Sequence, residues 1–428
     1  MTTRVFVIHP HIRDAAQTRG ADNLLEEAVS LTRALNLNVV QAEVVNLTTP
    51  RAGWLFGSGK VDELHQMLEE VEADVVVLNG VITPKQQQNL EKVWDVKILD
   101  RTGLILEIFG DRAATREGSL QVELAHLEYQ RSRLVRSWTH LERQRGGLSF
   151  VGGPGETQIE ADRRMLDERM VKIRRQLSKT VRTRGLQRHA RKRVPFPVVA
   201  LVGYTNAGKS TLFNRMTGAE VFAKDMLFAT LDPTMRAVET PLGQKIILSD
   251  TVGFISDLPT QLIAAFRATL EEVLEADIVV HVRDAAHEDA EAQEEDVLAT
   301  LSELGLTDEQ LDQMIIVHNK SDLMDDEARA TMTERMQRQE NSVLLSAVTG
   351  DGVGDLLSLI EERLSRDNLI RTLTFEHSDG AAVSWVYRKC SVLERDDTET
   401  GSVLTVAAPD RIFQQFQAKY GSLAKPLQ

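Results

Sequence analysis

The eight residues from 203 to 210, Gly-Tyr-Thr-Asn-Ala-Gly-Lys-Ser, constrain the fold of this chain most. A glycine, four free positions and then Gly-Lys-Ser form a loop whose backbone N–H groups can surround a polyphosphate. Residues 198–202 form an apolar, β-branched run that predicts a buried strand, and residues 211–216 predict a helix. We therefore predict a phosphate-binding loop, with Lys209 on the β- and γ-phosphates and the Ser210 hydroxyl on magnesium.

Length and composition indicate a multidomain protein of a reducing compartment. A chain of 428 residues exceeds one ordinary hydrophobic core and suggests about three domains. Its mean hydropathy is -0.22, no apolar run approaches the roughly 20 residues that span a bilayer, and no signal-peptide pattern is seen. The single cysteine, Cys390, excludes an internal disulfide. We expect a cytoplasmic protein without membrane insertion.

Alternating strand and helix patterns in the first hundred residues predict a small parallel α/β domain. Strands at residues 5–8, 38–40, 74–78 and 96–99 alternate with helices at residues 23–35, 61–71 and 84–94. Residues 57–60, Gly-Ser-Gly-Lys, are similar to a second phosphate loop. However, Trp54 and Val61 stand where that pattern needs a glycine and a hydroxyl side chain. We favour a turn that starts a helix over a nucleotide site.

The next segment predicts an antiparallel helical hairpin. Two apolar rows repeat at alternating spacings of four and three residues, from Leu120 to Leu141 and from Leu166 to Arg184. Between them, residues 146–155 contain five glycines and Phe150. Glycines cost chain entropy, and an exposed phenylalanine gains nothing unless something docks on it. We favour a contact role for this tip over a plain flexible turn.

Positive charge is concentrated in this hairpin. The formal net charge of the chain is -14, yet residues 111–193 hold 20 lysines and arginines against 10 acidic residues. Residues 169–193 hold 11 basic side chains and no acidic one. A basic run is commonly a solvated helix face, but an excess confined to one arm of an acidic protein favours contact with RNA or the ribosome.

Three further elements, each after a predicted strand, indicate a guanine nucleotide. Residues 250–253, Asp-Thr-Val-Gly, place an acid where it can hold magnesium through water and the Gly253 N–H where it can sense the γ-phosphate. Residues 319–322, Asn-Lys-Ser-Asp, select the base. Asp322 can accept two hydrogen bonds that guanine donates and adenine cannot, while Asn319 ties this loop to the phosphate loop. Ser346 and Ala347 bring a backbone N–H near the guanine oxygen.

The catalytic apparatus is incomplete by sequence. Thr230 and Thr234 both qualify by spacing to complete the magnesium shell, and the residues alone do not separate them. Many regulatory GTPases carry a glutamine after the Asp-x-x-Gly glycine, whereas Phe254 stands here, so intrinsic hydrolysis should be slow. Asn206 is a candidate ligand for a potassium ion that supplies the missing charge, and the alternative is that it only braces the loop.

These motifs together resemble the HflX family of ribosome-associated GTPases, on the Obg-like branch of translational GTPases. The resemblance is carried by GYTNAGKS at 203–210, FATLDPT at 228–234, DTVGF at 250–254, NKSD at 319–322 and GGPGETQIEADRR at 152–164. It implies binding to the large ribosomal subunit, with the hairpin tip near the peptidyl-transferase centre, and the splitting or rescue of stalled ribosomes under stress such as heat. It implies Thr230 as the magnesium ligand. It also suggests weak ATP handling by the N-terminal domain, which residues 57–60 support little.

The predicted fold is α/β, with a P-loop GTPase domain at 195–366 between other parts. A parallel α/β domain at 1–110 and the hairpin at 111–194 precede it, and a small α+β domain at 367–428 follows. We predict Lys209, Gly253 and Asn206 as catalytic residues, and Ser210 and Thr230 as metal ligands. The predicted nucleotide contacts are Gly203, Tyr204, Thr205, Asn206, Ala207, Gly208, Lys209, Ser210, Phe228, Ala229, Thr230, Leu231, Asp232, Asp250, Thr251, Val252, Gly253, Asn319, Lys320, Ser321, Asp322, Ser346, Ala347 and Val348.

The predicted function is that of a monomeric GTPase that binds GTP and GDP with Mg²⁺, with K⁺ as a candidate second ion. Its predicted partner is the large ribosomal subunit and its RNA, which stimulates hydrolysis. An alternative is an RNA-binding GTPase of tRNA modification or ribosome assembly. A third reading is a binding module whose nucleotide only holds the structure.

Overall fold

The computed structural model describes most of the chain, in three sheets and the helices that cover them. The described residues are 3–12, 19–144, 158–191, 196–218, 228, 234–256, 272–336, 339–366, 368–398 and 400–421. The predicted glycine-rich tip with Phe150 lies outside these residues, as do the predicted contacts Ala229, Thr230, Leu231 and Asp232.

The N-terminal part is a parallel sheet with helices between its strands, as predicted. Its strands are β1 (Arg4–Ile12), β2 (Asn38–Leu47), β3 (Val75–Leu78) and β4 (Lys97–Asp100), in the order β2-β1-β3-β4. Its helices are α1 (Ala21–Ala34), α2 (Ser58–Glu70), α3 (Pro84–Trp94) and α4 (Arg101–Arg112). Strand β2 runs seven residues beyond its predicted end at residue 40. Its polar residues are tolerated because β2 is an edge strand with few fully buried positions.

Two long helices follow, α5 (Arg116–Gln144) and α6 (Gln158–Arg191), and they pack against each other. Met170 and Ile173 of the predicted row in α6 are fully buried. An ion pair of 3.0 Å between Arg131 Nε and Asp167 Oδ1 also joins the two helices. Among the α5 side chains that the structure describes, up to residue 134, the fully buried apolar residues are Val122 and Ala125 rather than the predicted leucines, because α5 also packs on α4.

The central sheet has the order β10-β9-β8-β5-β7-β6, and only its edge strand β6 is antiparallel. The strands are β5 (Val198–Val202), β6 (Thr234–Glu239), β7 (Lys245–Asp250), β8 (Ile278–Asp284), β9 (Ile315–Asn319) and β10 (Ser342–Leu344). The helices are α7 (Lys209–Thr217), α8 (Ala290–Leu304), α9 (Asp308–Asp312), α10 (Asp326–Met336) and α11 (Val353–Arg366). Because β5, β7 and β9 are parallel, the loops after their carboxyl ends meet at one edge.

The C-terminal part is a three-stranded antiparallel sheet covered by two helices. Its elements are β11 (Asn368–Glu376), α12 (Gly380–Lys389), β12 (Ser391–Thr398), β13 (Gly401–Pro409) and α13 (Asp410–Tyr420), and the strand order is β11-β13-β12. Phe375, Trp385 and Phe416 form its aromatic centre. This confirms the predicted α+β character. Strand β12 was not predicted, because its sequence is mostly polar and it lies at a sheet edge.

One apolar core continues from the N-terminal sheet into the central sheet. This shared core contains Phe109 of α4 together with Phe228 and Phe254 of the central part. The rings of Phe109 and Phe228 meet edge to face with centroids 4.7 Å apart. The N-terminal part therefore packs directly on the loops at the carboxyl edge of the central sheet.

Candidate nucleotide-binding site

The phosphate loop joins the end of β5 to the start of α7, as the sequence predicts. Gly203 has a φ of 149°, and a Cβ there would lie 2.1 Å from the carbonyl oxygen of Val282. Gly208 has a φ of 92°, and its Cβ would lie 2.1 Å from Asn319 Nδ2. Both glycines are therefore required by backbone conformation and by close neighbours. The N-terminus of α7 points its free N–H groups into the loop, where they can bind an anion.

Lys209 places a buried ammonium group inside this loop. Its side chain is 5% exposed, and Nζ donates hydrogen bonds to the carbonyl oxygens of Gly203 at 3.1 Å and Tyr204 at 2.8 Å. Burial disfavours the charged amine and lowers the pKa of Lys209 to about 8, although Asp250 opposes this shift. A phosphate group beside Nζ would replace neutral carbonyl partners with charged ones.

Ser210 and Asp250 meet beside the phosphate loop. The Ser210 hydroxyl lies 2.7 Å from Asp250 Oδ2, and Asp250 is 1% exposed. A hydroxyl and a carboxylate in contact suit a magnesium ion, which prefers oxygen ligands and retains several waters. Thr251 and Val252 are buried, and the Thr251 hydroxyl donates to the carbonyl oxygen of Leu201 at 2.6 Å. The Thr251 side chain thus braces β5 and does not reach into the phosphate loop.

Gly253 and Phe254 lie directly against the phosphate loop. A Cβ on Gly253 would be 3.1 Å from Lys209 Nζ. The backbone of Phe254 pairs with the loop, because its N–H donates to Gly203 at 3.0 Å and its carbonyl accepts from Thr205 at 2.7 Å. The Phe254 ring is only 2% exposed and belongs to the shared core. Phe254 therefore offers no side chain that could orient an attacking water.

The base-recognition loop is tied to the phosphate loop through Asn319. Its Nδ2 donates to the carbonyl oxygen of Ala207 at 2.8 Å, and its Oδ1 accepts from the Ala347 N–H at 2.9 Å. Asp322 accepts a hydrogen bond of 2.5 Å from the Ser346 hydroxyl. Lys320 is held by Asp284, with Nζ and Oδ2 2.7 Å apart. These contacts bring the last two predicted elements together at the same edge of the sheet.

The second glycine-lysine turn, at residues 57–60, starts a helix. Gly57 is the residue before α2, and Lys60 Nζ contacts Glu43 and Glu63, each at 2.8 Å. A lysine already paired with two carboxylates is a poor phosphate ligand. The geometry therefore favours the helix-starting turn over a second nucleotide site.

Comparisons with known proteins cover nearly the whole chain. Four family models match it: "GTP-binding GTPase N-terminal" at residues 22–110, "GTP-binding GTPase Middle Region" at 112–191, "50S ribosome-binding GTPase" at 198–320 and "HflX C-terminal domain" at 331–427. The GTPase HflX of Magnetococcus marinus is 48% identical over 407 residues, which cover 95% of this chain and 92% of that protein. The chain belongs to the HflX family.

A second HflX relative and one solved structure extend the comparison. The GTPase HflX of Escherichia coli is 42% identical over 380 residues, which cover 89% of this chain and 88% of that protein. A GTP-binding protein of Sulfolobus solfataricus, solved in complex with GDP, aligns with 85% of this chain and 98% of its own, at 20% identity and a TM-score of 0.46. Membership in the HflX family shows that this chain is a GTPase. In the described part of the chain, no helix has the length and apolarity needed to cross a membrane.

As an HflX-family GTPase, this chain hydrolyses GTP, and the groups described above are suited to bind its phosphates. Lys209 and the loop N–H groups surround the position predicted for the phosphates, and Gly253, the predicted γ-phosphate contact, lies beside Lys209. Ser210 and Asp250 would hold magnesium, which neutralises phosphate charge when bound. Asn206 is exposed in the left-handed region, with a φ of 61°, a conformation that asparagine tolerates better than most residues.

Two contacts of the HflX site were not predicted from the sequence. Arg215 of α7 donates from Nε to the carbonyl oxygen of Ala347 at 3.2 Å, and its Nη2 donates to the carbonyl oxygen of Val348. Arg215 therefore holds the loop that is predicted to face guanine. Asp284 fixes Lys320, as described above. No local pattern marks either residue, because each acts on a segment distant in sequence.

Proposed function

We propose that this HflX-family GTPase binds the large ribosomal subunit and promotes the splitting or rescue of stalled ribosomes under stress such as heat. The observation that carries this proposal is the exposed basic surface of α6. Lys172, Arg175 and Lys179 lie along one side of this helix, and all three are exposed. Basic side chains spaced along an exposed helix face suit the phosphates of RNA, since each contact releases a condensed counterion.

The match to a family model described as "50S ribosome-binding GTPase" supports the same partner. Some basic residues of α6 are neutralised within the hairpin, since Arg169 pairs with Glu123 and Arg174 pairs with Glu128. Lys172 and Arg175 make no such ion pair with any described residue. They remain available to an external polyanion.

GTP hydrolysis becomes fast only when the partner is bound. Phe254 is buried where other GTPases present a water-orienting side chain, so the free protein hydrolyses GTP slowly. The ribosome, or a potassium ion held near Asn206, supplies the group that stabilises the transferring phosphate. Magnesium is held by Ser210 and Asp250, with Thr230 as the remaining predicted ligand. The protein acts in the cytoplasm, where ribosomes are found.

Co-sedimentation and stimulated hydrolysis test this proposal together. The protein, loaded with a non-hydrolysable GTP analogue, is pelleted through sucrose with large subunits, small subunits or intact ribosomes at moderate salt. We expect pelleting with large subunits and a GTPase rate that rises with their concentration. Absence of both would overturn the proposal.

The same assay separates the alternatives. Binding to tRNA without any response to ribosomal particles would favour a GTPase of tRNA modification. Turnover that no RNA or ribosomal particle changes would favour a nucleotide that only holds the structure. Light scattering on intact ribosomes then measures splitting itself.

A further inference from the structure

The side chain of Tyr204, a residue of the phosphate loop, is bonded to Arg19 and Glu27 of the N-terminal part. Its hydroxyl donates to Glu27 Oε2 at 2.6 Å, and it accepts from Arg19 Nη1 at 2.8 Å and from the Ser256 N–H at 3.0 Å. Ser256 Oγ also lies 3.2 Å from this hydroxyl, so the one hydrogen and two lone pairs of the phenol are fully used. Arg19 also lies over the Tyr204 ring, 4.8 Å from its centroid.

Arg101 binds Ser256, which is also a partner of Tyr204. Its Nη2 donates to the carbonyl oxygen of Ser256 at 3.1 Å and to the Ser256 hydroxyl at 3.0 Å. The same guanidinium forms an ion pair with Glu27, and its Nη1 donates to Asn79 Oδ1 at 2.7 Å. Arg101 is 4% exposed. A buried, paired charge is costly to displace, so Ser256 is fixed firmly to the N-terminal domain.

We call the set Arg19, Glu27, Arg101, Tyr204 and Ser256 the interdomain clamp. Arg19, Glu27 and Arg101 belong to the N-terminal part, whereas Tyr204 lies in the phosphate loop. Ser256 lies three residues after Gly253, the residue that must reach the γ-phosphate. The clamp therefore joins the N-terminal domain to two nucleotide-binding segments at once.

The clamp restrains the segment that has to contact a γ-phosphate. Gly253 packs on the phosphate loop, where a Cβ would lie 2.9 Å from Thr205 Cγ2, and the Phe254 backbone is paired with Gly203 and Thr205. The Gly253 N–H has to align with a γ-phosphate in order to bind it, and this packing and pairing resist any shift that the alignment needs. GDP, which ends at the β-phosphate, makes no such demand.

We propose that Glu27, Arg101 and Tyr204 are positioning residues that set the preference between GDP and GTP. They hold Ser256, and with it Gly253, in an arrangement that favours GDP over GTP. GTP binding then has to weaken the clamp and loosen the N-terminal domain. Because GTP binding and clamp formation oppose each other, a change that lowers the equilibrium constant for clamp formation raises the affinity for GTP by the same factor. This inference rests on the nucleotide site alone and holds whether or not the ribosome is the partner.

The test measures the affinities for a non-hydrolysable GTP analogue and for GDP, on the full chain without ribosomes. Tyr204→Phe removes the central hydroxyl and keeps the ring. We expect it to tighten the GTP analogue about fivefold or more while the affinity for GDP changes less than about twofold. Ser256→Ala removes one acceptor of Arg101 and should act in the same direction with a smaller effect.

Tyr129→Phe is the matched control. The Tyr129 hydroxyl also donates to a carboxylate, Asp100 Oδ1, at 2.7 Å, but this contact lies within the N-terminal part and the hairpin. We expect its affinities for both nucleotides to equal those of the wild type. A change in both nucleotide affinities by the same factor in Tyr204→Phe, or an equal effect of Tyr129→Phe, would overturn the proposal.

Amide hydrogen exchange on the wild-type protein provides a test without any substitution. We expect the GTP analogue, but not GDP, to accelerate exchange in α1 and at the start of α4, which carry Glu27 and Arg101. Equal exchange with the two nucleotides would contradict the linkage, even if a substituted protein fails to fold.

Discussion

The Ser210 hydroxyl and Asp250 Oδ2 lie 2.7 Å apart, so the first turn of α7 touches the end of β7. These are the two groups that the phosphate-loop pattern and the Asp-x-x-Gly pattern assign to magnesium. Their contact shows that two motifs 40 residues apart build one site. It also defines which substitutions should change the metal requirement and which should not.

Asp250→Asn should raise the magnesium concentration needed for half-maximal hydrolysis by about tenfold, because a neutral amide binds a hard cation more weakly than a carboxylate does. Magnesium titration of GTP hydrolysis measures this, and chelation with EDTA should abolish turnover in the wild type. Asp277→Asn is the control, since Asp277 accepts from the Val198 N–H at 2.8 Å in the same sheet. An unchanged requirement in Asp250→Asn would contradict the assignment.

The buried amine of Lys209 should make the nucleotide-free protein more stable as the pH rises from 8 to 10.5. Its pKa is about 8 in the folded state and 10.5 for an ordinary, solvated lysine, so the unfolded chain binds the extra proton in this window. Below pH 8 the amine is charged in both states and the burial penalty is fully present. The gain across the window is about 3 kcal/mol.

Denaturant unfolding at several pH values measures this gain against Lys209→Met, which has no titrating amine. The variant should lack the rise, and bound nucleotide should remove it from the wild type, since phosphate stabilises the charged amine. Parallel pH profiles for the two nucleotide-free proteins would exclude Lys209 as the cause.

Asp322→Asn should change the base preference of the site from guanine to xanthine. The carboxylate suits the two N–H donors of guanine, whereas an amide can donate to the carbonyl oxygen that xanthine carries in place of the amine. We expect GTP affinity to fall at least about 100-fold and xanthosine triphosphate to become the better ligand. The control is Asp325→Asn, because Asp325 Oδ1 accepts a helix-start N–H, from Ala328 at 2.7 Å. Nucleotide competition titrations would decide the outcome.

Asn206→Gly should separate an ion-binding role from a backbone role. Glycine accepts the observed φ of 61° without strain but removes the amide oxygen. We expect wild-type hydrolysis to be several times faster in potassium than in sodium, and the glycine variant to lose this difference. Equal wild-type rates in the two salts would rule out the ion, and a glycine variant with the full wild-type rate in potassium would show that the Asn206 side chain is needed for neither role.

Charge reversal on α6 should weaken ribosome binding without slowing the free enzyme. The double variant Lys172→Glu and Arg175→Glu changes two exposed side chains one turn apart. We expect co-sedimentation with large subunits to fall about tenfold at moderate salt and its salt dependence to become shallower. The matched control reverses Lys92 and Lys97, which are exposed in the N-terminal part. Equal losses in both double variants would point to overall charge instead of a specific surface.

The sequence was sufficient to predict the site residues that lie directly after a strand and whose backbone conformation requires a particular residue type. Gly203 and Gly208 are dictated by loop geometry, and Asn319 is placed by the strand before it, so their positions follow from short patterns. The parallel order of both sheets follows from alternating strands and helices. These features need no knowledge of how distant elements dock.

Features that depend on docking could not be predicted in this way. Tyr204 is 177 residues from Glu27, and the pairing exists only because the N-terminal part packs on the phosphate loop. Arg215 reaches Ala347 across 132 residues for a similar reason. The edge strands β6 and β12 were missed because a strand with one neighbour can keep polar side chains on both faces. Tertiary packing, and not the local sequence, decides which partner a long polar or charged side chain contacts.

The shared core that joins Phe109 to Phe228 and Phe254 has a consequence for how this chain can be cut. The predicted domain boundary suggests a truncated protein that begins near residue 195. Such a truncation would expose these rings to water and would remove Arg19 and Glu27, the partners of the Tyr204 hydroxyl. The resulting fragment would expose an apolar surface that promotes aggregation. The two parts are separate modules in the sequence, but each covers apolar surface of the other in the folded chain.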